Sequence, residues 1–77
     1  MKLEIISPSE VMFSGDVEAV TLPGVAGKFT VLKNHASLIS ALKEGKVRFL
    51  QAGEESNLEI RGGLADIDLN KIAVCVY

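Results

Sequence analysis

Alternation with a period of two runs through most of this chain. Val47 and Phe49 alternate with Lys46 and Arg48, and Leu58 and Ile60 alternate with Glu59 and Arg61. Ala65, Ile67 and Leu69 alternate with Asp66 and Asp68, while Ile72, Val74 and Val76 share one face of the last segment. Each run turns one face to a core and the other to water, as half-buried antiparallel strands require. Between the runs, Glu44-Gly45, Ala52-Gly53, Gly62-Gly63 and Asn70-Lys71 each supply a residue that tolerates positive φ. Short strands at this spacing predict an all-β sandwich or barrel with mainly hairpin connections.

The first half is less regular. Lys2 to Ser7 and Glu10 to Ser14 predict two strands joined through Pro8. From Val17 to Leu22 the apolar phase slips at Ala19-Val20, which predicts a bulge, and Pro23-Gly24 marks the strand's end. Lys28 to Leu32 gives another strand. In His35 to Leu42, Asn34 could cap a helix whose Leu38, Ile39 and Leu42 face one way. That helix would be short, and the Glu44-Gly45 turn follows at once, so an extended segment is favoured. No repeat, low-complexity tract or linker interrupts residues 1–77, which form a single domain.

Composition narrows the class. An apolar content of 48% excludes a disordered chain. A fold of this mass exposes roughly 4,500 Å² and buries only about 60% of the extended chain's surface. So small a core gains stability by docking on a partner. Ten acids and eight bases are interspersed, for a net charge of −2, and no basic run offers a nucleic-acid surface. The single cysteine, Cys75, forms no internal disulfide, which agrees with a reducing compartment. No apolar run reaches membrane-spanning length, and Glu4 and Pro8 interrupt the stretch where a signal peptide needs its apolar region. A soluble cytosolic domain is expected.

Candidate chemistry is sparse. His35, the one histidine, has no HxH, HxxxH or CxxC partner for metal binding, and no serine sits in a nucleophile elbow. A structural or interface histidine is the better reading. Gly24 and Gly27 make a GxxG spacing that lacks the remainder of a dinucleotide or phosphate loop, so a turn is expected. Glu54-Glu55 beside a turn and Asp66 with Asp68 on a strand's water face read as solvated charges. Lys43 precedes a turn, as the modified lysine of small lipoyl or biotinyl carrier domains does. It lacks their Met-Lys-Met or Asp-Lys-Ala setting. The residues thus give no catalytic group, no metal site and no cofactor site, and a carrier role for Lys43 stands as the alternative to a contact domain.

Ser7-Pro8, Phe13 to Val17, Leu22 to Phe29, His35-Ala36, Ala41 to Gly45 and Gly62-Gly63, taken in that order, carry a family resemblance. The chain closely resembles the N-terminal domain of the epsilon subunit of bacterial F-type ATP synthase, over essentially its whole length. The resemblance implies a ten-stranded sandwich of two five-stranded, mainly antiparallel sheets. It also implies a non-catalytic central-stalk subunit that binds the gamma subunit and the polar loops of the c-ring, coupling proton flow to ATP synthesis. Its place would be peripheral, on the cytoplasmic face of the bacterial inner membrane.

By position, the resemblance puts Lys28 at the c-ring side and His35 at the gamma side. Apolar residues left over when strands bury their other face, such as Ile6, Met12 or Ile39, would join the gamma contact. Two local departures stand out. The position of Lys28 is commonly acidic in relatives, where it would face basic c-ring loops; a lysine reverses that charge, so the salt bridge to a ring arginine that the resemblance implies is not expected unless the partner has changed too. Leu32-Lys33-Asn34-His35 replaces a Pro-Gly-His turn, and asparagine can take the left-handed conformation that such a turn needs. Most relatives continue into a C-terminal helical hairpin that can block ATP hydrolysis, whereas this sequence stops at Tyr77 after its last strand.

Overall fold

A computed structural model describes all of residues 1–77. It contains nine strands and no helix: β1 (Lys2–Ile6), β2 (Val11–Asp16), β3 (Ala19–Gly24), β4 (Gly27–Leu32), β5 (His35–Leu42), β6 (Gly45–Gln51), β7 (Glu54–Ile60), β8 (Gly63–Leu69) and β9 (Lys71–Val76). Hydrogen bonding joins them in the order β2-β1-β9-β8-β5-β3-β6-β7, with β4 on β3. The expectation of ten strands is corrected to nine. His35–Leu42 is one continuous strand, and no connector exceeds four residues, which leaves no length for a tenth.

The sheet curls into two layers. One holds β2, β1, β9, β8 and β5, and the other holds β7, β6, β3 and β4. A single rung, Gly24 opposite Leu42, joins them. β3 makes this possible by dividing one of its edges. Ala19, Val20 and Thr21 pair with β6, and the partner has changed to β5 by Gly24. Pro23 occupies the gap between those partners, where no ladder donor is needed. Its carbonyl accepts the Lys43 N–H at 2.9 Å. Pro23-Gly24 therefore forms the last two residues of β3, and the strand ends there as expected.

Connections also differ from expectation. Only β1–β2, β3–β4, β6–β7 and β8–β9 are hairpins; the chain crosses between layers after β2, β4, β5 and β7. Gly62-Gly63 lies at a crossing. Gly62 has a φ of 150°, and a Cβ on Gly63 would lie 2.1 Å from the Cys75 carbonyl oxygen. Both glycines are required, one by conformation and one by space.

Fifteen buried apolar residues form one core between the layers, with no buried polar side chain. Leu3, Ile5, Ile67, Ile72 and Val74 come from the larger layer, and Val20, Leu22, Val31 and Val47 from the smaller. The solvent-accessible surface is 4687 Å², close to the value expected from mass. The bulge expected at Ala19-Val20 is absent, since β3 runs in unbroken register with β4. The slip arises because Val17 precedes the strand: its N–H bonds the Met1 carbonyl, and its side chain enters the core from the connector. The irregularities fall instead at Ile5/Ile6 and at His35/Leu38.

Candidate functional site

A double-layered sheet leaves two outer faces, and in this molecule they are chemically unlike. On the larger layer, direct register runs from Ala41 to Leu64, Leu64 to Cys75, Cys75 to Ile6 and Ile6 to Val11. These five side chains form an uncharged row across all five strands, roughly 20 Å long at the usual strand spacing. Leu64 is 49% exposed and Val11 60%. Met12, beside the β1–β2 irregularity, and Ile39, one step along β5 and 66% exposed, extend the apolar area.

The next rows become progressively polar. Ile39, Asp66, Ala73, Glu4 and Ser14 form the second, and Asp68, Lys71, Lys2 and Asp16 the third. Ser37 Oγ donates to Asp68 Oδ1 at 3.0 Å, so that carboxylate is engaged at the strand surface. Asp66 lies between Ile39 and Ala73, and the other carboxylate of its row, Glu4, stands two strands away beyond Ala73.

On the smaller layer, Asn57, Arg48, Thr21 and Thr30 make one row, in which the two threonine hydroxyls bond at 2.9 Å. Lys46 pairs with Glu59, and Pro23 with Lys28. Where these rows meet the β5–β6 crossing, a concavity of about 480 Å³ opens, walled by Lys28, Lys43, Lys46 and Arg48 together with Glu44 and Asn57. Lys43 is thus part of a basic wall, not the isolated tip of a hairpin.

Lys28 and His35 lie near opposite ends of β4, which at six residues spans roughly 20 Å. The structure separates them. Asn34, with a φ of 65°, makes the left-handed turn that brings the chain into β5. The half-buried His35 ring donates from Nδ1 to the Ala36 carbonyl at 2.7 Å, and its residue stands opposite Leu69 on β8. No nucleophile hydrogen-bonds the ring, and no three His, Cys, Asp or Glu side chains gather as a metal site. No helix is long and apolar enough to cross a membrane.

Alternation alone had marked Ile6 and Ile39 as outward, and the structure adds which neighbours share their face. Leu64 and Cys75 were missed as a pair with Ile6. Their signal was available only after the pairing of β1 with β9 was known, because that parallel contact joins the two ends of the sequence.

Known proteins give this geometry a context. The family described as ATP synthase, Delta/Epsilon chain, beta-sandwich domain matches residues 1–77. An ATP synthase epsilon chain of Chlorobium limicola is 44% identical over 71 residues, which cover 91% of this chain and 81% of that one. The epsilon chain of Nitratiruptor is 40% identical over 77 residues, covering 99% of this chain and 60% of that one. Among solved structures, a chain in Euglena gracilis mitochondrial ATP synthase (OSCP/F1/c-ring) shares the fold with a TM-score of 0.89 at 21% identity, over 96% of this chain and 48% of that one. A chain in the Tetrahymena thermophila central stalk/c-ring assembly has a TM-score of 0.81 at 10% identity, over 97% and 61%. A carrier role for Lys43 finds no support in any of these likenesses. The full-length match at this identity shows that the chain belongs to the ATP synthase epsilon family, as the β-sandwich domain of a non-catalytic subunit.

Proposed function

We propose that this domain is a rotor-coupling element of a bacterial ATP synthase. Its larger layer docks on the gamma subunit through the outer face, its Lys28 end meets the polar loops of the c-ring, and it turns with both. The role is mechanical: it stiffens the joint that carries torque from proton flow to distant catalytic sites. Membrane association is peripheral, through the complex, at the cytoplasmic face of the inner membrane.

The observation that carries this reading is the uncharged row Val11–Ile6–Cys75–Leu64–Ala41, with Met12 and Ile39 beside it. A folded surface that leaves such a strip in water gains by covering it. A strip with charged rows on one flank has the apolar centre and polar rim of a specific interface. The central-stalk and c-ring assemblies that hold the structural neighbours support the same role. His35, at the start of the strand that edges this face, continues the contact.

Calorimetry of the chain against its cognate gamma subunit tests the proposal. A one-to-one complex, with an interface of roughly 1,200–2,000 Å², is expected. A folded domain that shows no binding at tens of micromolar would remove it.

A further inference from the structure

We infer that the hollow on the smaller layer is a binding site for a phosphate-bearing anion, held by Lys28, Lys43, Lys46 and Arg48. This inference goes beyond the rotor reading and does not rest on it.

Three observations carry it. First, positive charge is concentrated against the trend of the chain. The chain is net negative, yet four of its eight Lys and Arg residues wall one concavity of about 480 Å³, against a single carboxylate, Glu44. Most of this charge is uncompensated. The molecule's one ion pair joins Arg48 to Glu55 at 3.4 Å, and Lys28, Lys43 and Lys46 are exposed and unpaired. Like charges that converge on a concave wall raise its positive potential, and an entering anion relieves their repulsion.

Second, the hollow is built into the backbone. Buried Pro23 and half-buried Gly45 both line it. A Cβ on Gly45 would stand 2.9 Å from the Pro23 Cβ, so the missing side chain keeps this space open. Gly45 is not among the residues with positive φ, and space rather than conformation requires the glycine. Lys28 stands opposite Pro23 on the β4 side. On the other side, the Thr21–Arg48 register continued by two residues brings Lys46 beside Pro23. The Lys43 N–H bonds the Pro23 carbonyl at 2.9 Å, which ties the β5–β6 crossing to the same point. Cations from three elements thus surround one small-residue gap.

Third, the lining selects the ligand. It has no aromatic ring and no apolar side chain beyond Pro23, so neither a nucleobase nor a lipid tail is recognised there. Four cations against one carboxylate call for a compact anion of more than one charge. Phosphate groups supply it. Their tetrahedral oxygens accept from donors on several walls at once, whereas a planar carboxylate accepts in one plane. Asn57, from β7, adds an amide donor. A soluble oligophosphate and the headgroup of an anionic phospholipid offer this same chemistry.

Two binding arms test the proposal and name the source. In one, the chain is titrated with inorganic triphosphate by calorimetry at low salt. In the other, it is sedimented with phosphatidylcholine vesicles made with or without cardiolipin. Saturable one-to-one binding of triphosphate assigns a soluble ligand, and binding confined to the cardiolipin vesicles assigns a lipid headgroup. Added salt should weaken either. Lys43→Gln/Lys46→Gln should bind about tenfold more weakly, whereas Lys43→Arg/Lys46→Arg should retain binding. Both residues are exposed, so the melting point should not change. Both variants also leave Lys28, the residue the rotor reading assigns to the ring, in place. Citrate, which carries its charge on carboxylates, should bind more weakly than triphosphate, and equal binding of the two overturns the phosphate assignment. No binding in either arm, or binding that the glutamine pair leaves unchanged, overturns the inference while the rotor reading stands.

Discussion

The two outer faces of this sandwich start from the same rule and end differently. In both layers strands alternate, and in both the inward positions are Val, Ile and Leu. Outward, the smaller layer follows the ordinary pattern: Lys46 opposite Glu59, Arg48 opposite Asn57, Thr21 bonded to Thr30. The larger layer breaks it along one row, where Val11, Ile6, Cys75, Leu64 and Ala41 meet without a charge. Core burial explains the first set of apolar residues and cannot explain the second. A strand that is apolar on both faces has two surfaces to cover, and this molecule covers only one of them itself. The contrast separates residues that hold the domain together from residues that attach it to something.

The largest effect is expected from damage to what both faces share. Gly63 opens β8 at the crossing between layers, and its missing Cβ leaves room for the Cys75 carbonyl. Gly63→Ala forces backbone against backbone, where no flexible side chain can yield. A loss of about 3 kcal/mol or more is expected, and a melting point lower by roughly 15 °C, measured by thermal denaturation. Both faces should fail together, with gamma affinity and phosphate binding lost in parallel. An unchanged melting point would mean that β8 and β9 can separate at this rung without cost.

The next test separates the faces. Leu64→Lys places a charge within the apolar row, beside its central Cys75, and leaves the core untouched, because Leu64 points away from it. Burying that ammonium in an interface without a partner should cost about 2–3 kcal/mol of binding, a loss in gamma affinity of roughly 30- to 150-fold. Stability should move by less than about 1 kcal/mol. Lys46→Gln on the opposite face is the matched control, with gamma affinity unchanged. Equal losses from the two substitutions would show that the apolar row is not the docking surface.

Much of this was legible in the sequence, and the failures have physical causes. Alternation is local, so the runs after Val47 gave strands β6 to β9 with nearly correct limits. It also showed that Ile6, Met12 and Ile39 were left facing outward. Pairing is not local. Nothing in MKLEIIS announces that Ile6 will lie beside Cys75 in a parallel ladder, so the row across five strands could not be assembled from spacing. The basic hollow was hidden for the same reason. Lys28 is remote in sequence from Lys43 and Lys46, and all three looked interspersed among acids until the fold set β4 beside the β5–β6 crossing. Turn chemistry misled at the layer crossings, because glycine marks a tight approach there as readily as a hairpin.

The smallest effect concerns two turns at one end of the molecule. Asn34 and Leu69 both have positive φ, 65° and 50°. Asparagine suits the left-handed region, whereas leucine pays steric strain there, of about 1 kcal/mol. Leu69 receives little in return from the core, since it is 58% exposed. Leu69→Asn should therefore stabilise the isolated domain by about 0.5–1 kcal/mol and raise its melting point by roughly 4 °C. Asn34→Ala, the reverse change in the matching turn, should lower it by a similar amount. Leu69 stands opposite His35, at the edge of the strand pair that borders the apolar face. If Leu69→Asn stabilises the domain and also weakens gamma binding, the leucine is strained in order to reach a partner. If it stabilises the domain and leaves binding unchanged, the docking surface ends at Ile39. A variant less stable than wild type would mean that the leucine side chain, though mostly in water, makes contacts worth more than its strain.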